Sequence, residues 1–187
     1  MADEFPLPVL GFAAYSGTGK TTLLTRLIPR LRDAGHRLGV VKFTHHDVEL
    51  DHPGKDSYRL REAGAAQLLI ASPWRWIRFE DHPEPREPRL RDAVAQLDPE
   101  RLDLVLVEGF KHEAFPKIEL HRAATGRPLL YPEDPDVIAV ASDEPLSLPP
   151  RVAGLDLDDI PAIAEFIGSW LGQLHRHCSP SMDFRSP

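Results

Sequence analysis

The chain has 187 residues with a formal net charge of −7, 42% hydrophobic residues and one cysteine, Cys178. That length supports one sizeable core and not two, the scattered Lys and Arg exclude a broad nucleic-acid surface, and a lone cysteine excludes an internal disulfide framework and fits a reducing cytoplasm. No run of about 18 apolar residues offers a membrane span, and the acidic opening Met1-Ala2-Asp3-Glu4-Phe5-Pro6 does not read as a secretory leader.

Residues 8–14 are continuously apolar, the pattern of a strand buried on both faces of a parallel sheet. The run Ser16-Gly17-Thr18-Gly19-Lys20-Thr21-Thr22 follows directly and opens a helix. Glycines there let backbone amides close on a polyphosphate, Lys20 reaches the outer phosphates, and Thr21 offers a hydroxyl to Mg²⁺. The helix N-terminus adds unpaired N–H groups and a positive dipole end. Ala14 stands where the general pattern begins with Gly.

Along residues 20–34, Leu23, Leu24, Leu27, Ile28 and Leu31 keep helical spacing up to Gly35. Pro29 inside that stretch costs about 3 kcal/mol, so a kink or shift is expected there. Residues 37–43 read as a second strand. Residues 44–55 have no period and carry His45, His46, Asp47, Glu49, Asp51 and His52. Three readings stand for His45-His46-Asp47: a metal site, a mobile loop sensing the γ-phosphate or Mg²⁺ with Asp47 turned inward, and a solvated polar loop. Adjacent residues of an extended chain point to opposite faces, so the two histidines share a metal only across a turn.

Asp56 is placed to cap a short helix through Ala63, closed by Gly64, with a third strand at 66–71. Residues 75–80 read as a half-exposed strand, 81–88 as a proline-rich loop, and 90–97 as a helix. Residues 102–107 form another buried strand, and Glu108 and Gly109 follow it. Magnesium needs a carboxylate at a strand's C-terminal end. Asp103 lies about 16 Å away at the opposite edge, so Glu108 is the candidate, with Gly109 admitting the γ-phosphate. Lys111 and Lys117 either form a face for an anionic partner or neutralise neighbouring acids.

Residues 117–121 and 137–141 read as strands. Asp143, just past the second, has two acceptors to match the adjacent donors of guanine. Residues 158–174 form a last amphipathic helix with Pro161 in its first turn. Residues 175–187 lack a pattern and read as a loose tail, in which His175, His177 and Cys178 have no role assigned. The whole reads as α/β and P-loop NTPase-like: a mostly parallel β-sheet with helices on both faces, in a single domain over 1–174 with an excursion around 73–90.

Beyond the phosphate loop, Thr44-His45-His46-Asp47 with Asp51, Pro53-Gly54-Lys55-Asp56-Ser57-Tyr58, Ala63-Gly64-Ala65, Leu106-Val107-Glu108-Gly109-Phe110-Lys111 and Lys117-Ile118-Glu119 resemble the MobB family, the molybdopterin-guanine dinucleotide biosynthesis adaptor proteins. The resemblance runs over residues 10–174. It implies a cytoplasmic GTP-binding homodimer with weak or absent GTPase activity, working beside the guanylyltransferase MobA and delivering GTP or helping to insert the finished cofactor into molybdoenzymes. It implies that Gly17, Gly19, Lys20 and Thr21 hold phosphate and Mg²⁺, with Glu108 and Gly109 opposite. Asp47, Lys55 and Asp56 are its functional loop residues, and the dimer joins sheets through the strand at 74–80. Two other classes stay open: a metal-insertion accessory GTPase, which calls for paired Cys or His ligands, and a small-molecule kinase, which calls for an arginine lid where Arg59 and Arg61 lie at i and i+2 of a helix and face different ways.

Overall fold

The computed structural model describes residues 5–178. In chain order the elements are β1 (Val9–Ala13), α1 (Lys20–Asp33), β2 (Leu38–Lys42), α2 (Asp56–Glu62), β3 (Gln67–Ala71), β4 (Trp76–Glu80), α3 (Leu90–Val94), β5 (Leu104–Glu108), β6 (Lys117–His121), β7 (Val137–Ser142), β8 (Ala153–Asp156) and α4 (Ile160–Cys178). They fall into two compact units, residues 5–43 with 89–178, and Thr44–Pro88.

The larger unit is a six-stranded parallel sheet in the order β2-β5-β1-β6-β7-β8. Its central strands β1 and β5 are apolar on both faces because helices cover both. Leu10 and Phe12 of β1, Leu104 and Leu106 of β5, and Ile118 and Leu120 of β6 pack with α1 and α4 on one face. Val9, Val105 and Val107 take the alternate positions and pack with Leu90 and Val94 of α3 on the other. The chain runs from β1 to β2 on one side, and from β5 on that side to β6 on the other, so the crevice at the C-terminal end of β1 is the topological switch point.

Helix α1 runs through Pro29 as one element. Leu23, Leu24, Leu27 and Leu31 are buried beneath it. At about 2 kcal/mol for each buried leucine, their burial outweighs the roughly 3 kcal/mol that an interior proline costs.

In the smaller unit, β3 and β4 form a separate antiparallel pair, Gln67 opposite Glu80 and Ala71 opposite Trp76. The strand expected at 66–71 therefore lies outside the parallel sheet: its partner follows after a short turn, and a hairpin needs no crossover. Arg61 of α2 organises the unit. Its guanidinium lies 3.0 Å from Glu49 and 3.2 Å from Asp81 and stacks 4.8 Å over the Phe79 ring. None of the described residues 44–88 is buried.

Three further departures are local. Lys55 is the N-cap of α2 and Asp56 its first residue, where the carboxylate meets the dipole without capping. Strand β8, Ala-Gly-Leu-Asp, is too short and too poor in β-branched residues to be recognised from sequence. Helix α4 continues through Cys178, past the expected end at 174. Residues 179–187 of the expected tail lie outside the described residues.

Candidate functional site

The loop between β1 and α1 sits at the switch point. Gly17 and Gly19 hold φ of +82° and +101°, conformations open to glycine and strained for other residues. Gly19 is the N-cap of α1, no side chain caps the helix, and its first turn carries no acid. The amides of Lys20, Thr21 and Thr22 are thus left without a side-chain cap, the arrangement that receives an anion. Thr18 is buried and its hydroxyl donates to the Tyr15 carbonyl at 2.9 Å, which pins the loop from below, whereas Ser16 and Gly17 are exposed.

Lys20 folds back across the loop, its ammonium donating to the carbonyls of Ala14 at 3.0 Å and Tyr15 at 3.3 Å. Burial lowers its pKa, Glu108 opposes that shift, and Lys111 and Lys42 add to it. A cation crowded by other cations gains from a polyanion.

The Thr21 hydroxyl donates to Glu108 Oε1 at 3.2 Å and lies 3.4 Å from Oε2. Residues 87 positions apart meet here because Phe12 of β1 stands level with Glu108 of β5 in the sheet register. Glu108 is mostly enclosed, and the Lys42 ammonium approaches its Oε2 at 3.7 Å. A hydroxyl and a carboxylate are hard oxygen donors of the kind Mg²⁺ takes. Asp103 stands at the other end of the strand, just before β5, 2.7 Å from the Arg37 guanidinium.

Behind Glu108 the backbone turns sharply. Gly109 has φ +109°, and a Cβ there would lie 2.7 Å from Phe43 Cβ. Phe110 follows at φ +53°, the one non-glycine residue of positive φ among those described, with its ring 5.0 Å from that of Phe43. Two successive residues of positive φ redirect the chain immediately after the Glu108 carboxylate, the kind of backbone strain that is commonly stored at functional sites.

Asp143 emerges beside the site at the end of β7. Its carboxylate accepts from the Ala123 amide at 2.9 Å and lies 3.5 Å from the Arg122 guanidinium. It also lines a cleft of about 370 Å³ with Ser142, Leu146, Leu148, Leu155 and Asp156. Asp47, Lys55 and Asp56 belong to the smaller unit and are exposed there. Among the described residues no three His, Cys, Asp or Glu side chains converge to hold a metal. Of the two arginines weighed for a lid, Arg61 is committed to Glu49 and Asp81, and Arg59 pairs with Asp56 at 3.8 Å.

Lys117 is buried and bonds Asp134 at 3.0 Å, so it neutralises a neighbouring acid, while Lys111 is exposed. Glu119 is buried, accepts the Leu130 and Tyr131 amides at 2.7 and 2.9 Å, and has its pKa raised by burial. Sequence reading missed Lys42 and Arg122. Both stand at the C-terminal exits of parallel strands, the same signal that singled out Glu108 and Asp143.

Comparison with known proteins agrees with this geometry. Residues 9–143 match the model of the MobB family, molybdopterin guanine dinucleotide synthesis protein B. The chain is 51% identical over 172 residues to the molybdopterin-guanine dinucleotide biosynthesis adapter protein of Escherichia coli (strain K12), covering 91% of this chain and 97% of the relative. It is 45% identical to the protein of that name in Haemophilus influenzae, covering 90% and 92%. The crystal structure of a MobB homologue from Bacillus stearothermophilus superposes with a TM-score of 0.64 at 27% identity, covering 88% of this chain and 98% of that one. A family match over residues 9–143 and relatives this similar over nine-tenths of the chain show that the chain belongs to the MobB family.

Proposed function

We propose that this protein is a GTP-binding adaptor in the biosynthesis of molybdopterin guanine dinucleotide. The carrying observation is the meeting of the Thr21 hydroxyl and the Glu108 carboxylate at the mouth of a glycine loop, with Lys20 beside them. The names of the Escherichia coli and Haemophilus influenzae relatives support the pathway. Gly17, Thr18, Gly19 and Lys20 take the phosphates, with Ser16 and Thr22 at the loop's margins. Thr21 and Glu108 hold Mg²⁺, which when bound screens the β- and γ-phosphate charge. Asp143 and the cleft it lines take the guanine base.

The partner is a MobA-type guanylyltransferase, with transfer of the finished cofactor to molybdoenzymes as the downstream step. Asp47, Lys55 and Asp56 are surface groups through which nucleotide state reaches that partner. Reliance on GTP carries a cytoplasmic location with it.

The adaptor acts as a homodimer joined through the smaller unit. Leu69 and Trp76 stand on one face of the β3–β4 pair, 55% and 74% exposed, and Trp74 in the turn is 86% exposed. A lone two-stranded sheet is marginal in water, and large apolar groups gathered on one face call for a cover.

Calorimetric titration of GTP and ATP, with and without Mg²⁺, into wild type, K20A and D143A tests the reading. We expect Mg²⁺-dependent preference for GTP in wild type, no binding in K20A with its melting temperature unchanged, and loss of the guanine preference in D143A. Normal GTP titration in K20A would overturn the proposal, and an unchanged base preference in D143A would remove Asp143 from it.

A further inference from the structure

Arg122, at the exit of β6, touches three separate parts of the site. Its Nε donates to the Thr18 carbonyl at 3.1 Å, Nη1 lies 3.5 Å from Asp143 Oδ2, and Nη2 lies 3.6 Å from Asp158 Oδ1 ahead of α4. Asp143 in turn accepts the Ala123 amide at 2.9 Å, which fixes the backbone carrying the arginine. The guanidinium is thus held from two sides by carboxylates and aims its remaining edge at the phosphate loop.

The Thr18 carbonyl shares a peptide plane with the Gly19 amide. In a planar trans peptide the C=O and the following N–H point in opposite directions. A donor that grips the Thr18 oxygen from outside the loop therefore turns the Gly19 N–H toward the loop's interior. Glycine at φ +101° offers little resistance to rotation of this plane, so the orientation needs an external hold. The Thr18 side chain is already spent on Tyr15, and a Cβ at Gly19 would meet Arg122 Nε first, at 4.0 Å.

We propose that Arg122 is a positioning residue that sets the Thr18–Gly19 peptide and so holds the Gly19 amide ready for phosphate. This rests on the nucleotide-binding reading above and adds the group that preorganises the cradle. An amide oriented before binding costs no reorganisation when the anion arrives.

The test compares wild type, R122A, R122K and K20A by calorimetric titration with GTP and with pyrophosphate, which has no base, alongside ¹⁵N–¹H spectra of the unliganded proteins. R122A is expected to lose about tenfold in affinity for both ligands by the same factor, the scale of one charge-assisted hydrogen bond. R122K, which keeps a cationic donor, recovers part of that loss. The Gly19 amide resonance moves in R122A while that of Gly35, just past the Ala34 C-cap of α1, stays. A loss confined to GTP overturns the proposal, because Arg122 then acts on the base side through Asp143. Unchanged affinity for both ligands also overturns it, as does an unmoved Gly19 resonance. Should R122A fail to fold, R122K carries the test, with weaker pyrophosphate binding and a displaced Gly19 resonance expected, and wild-type values refuting. Wild type that binds neither ligand, or K20A that binds both, sinks the nucleotide reading itself, whereas intact wild-type binding with an unimpaired R122A sinks the clamp alone.

Discussion

Replacing Gly109 by Ala separates two costs that the turn after Glu108 combines. An Ala at φ +109° sits in a region that L-residues avoid, and the new Cβ lands 2.7 Å from Phe43 Cβ, inside any permitted contact. Gly35, in the same unit, has φ +94° and nothing within 4 Å of the place a methyl would take, so G35A meets the backbone strain alone. Strain at a single positive-φ position costs about 1–2 kcal/mol, and forcing a methyl into packed surroundings adds about 1–3 kcal/mol. G35A should therefore lose about 1–2 kcal/mol and G109A about 2–5 kcal/mol, a large share of the roughly 5–15 kcal/mol that holds a domain together. Urea denaturation of both variants reads the difference directly, and thermal melting should follow at about 2–4 °C per kcal/mol. Because Phe43 and Glu108 are joined through the Phe43 amide and the Glu108 carbonyl at 2.8 Å, relief of the clash also shifts the carboxylate, and the Mg²⁺ dependence of GTP binding should weaken in G109A only. Equal destabilisation of the two variants would refute the steric argument for this glycine.

The E108Q variant keeps an acceptor for the Thr21 hydroxyl but loses its charge; GTP titration should show undiminished binding without Mg²⁺ and no gain on adding it. Arg37 holds Asp103 at a pKa of about 2 against an ordinary 3.8. A depressed carboxylate pKa gives stability that is present above the unfolded value and lost as pH falls through the folded one. D103N should thus lower the urea midpoint at pH 7, with the gap to wild type closing between 3.8 and about 2. Trp76→Glu places charge on the exposed face of the hairpin; sedimentation should report a monomer with GTP binding retained, and an unaltered dimer would direct attention to another surface.

Much of the site was legible because its signals are local. The phosphate loop is contiguous, its glycines are where the backbone needs positive φ, and the helix behind it announces itself by four leucines in period. Glu108 was legible through a simple geometric rule, since a parallel strand presents its C-terminal residue at the ligand edge and Asp103 is too many residues upstream. The family resemblance rested on blocks such as Pro53-Gly54-Lys55-Asp56-Ser57, which the fold places in the smaller unit.

Other features depend on contacts that no stretch of sequence contains. Strand β3 read as one more member of the parallel sheet because its apolar run reports a strand and its length, not the identity of a partner. Arg122 looked like any charge after a strand until the fold laid it against Thr18, and Lys117 lost its claim to a binding face when burial committed it to Asp134. Sequence by itself determined which contiguous residues form the glycine loop proposed to hold a polyphosphate, because that pattern is written in neighbouring positions. Only tertiary structure decided which distant carboxylate and cations converge on them, because hydrogen bonds and ion pairs act over a few ångströms of space whatever the separation along the chain.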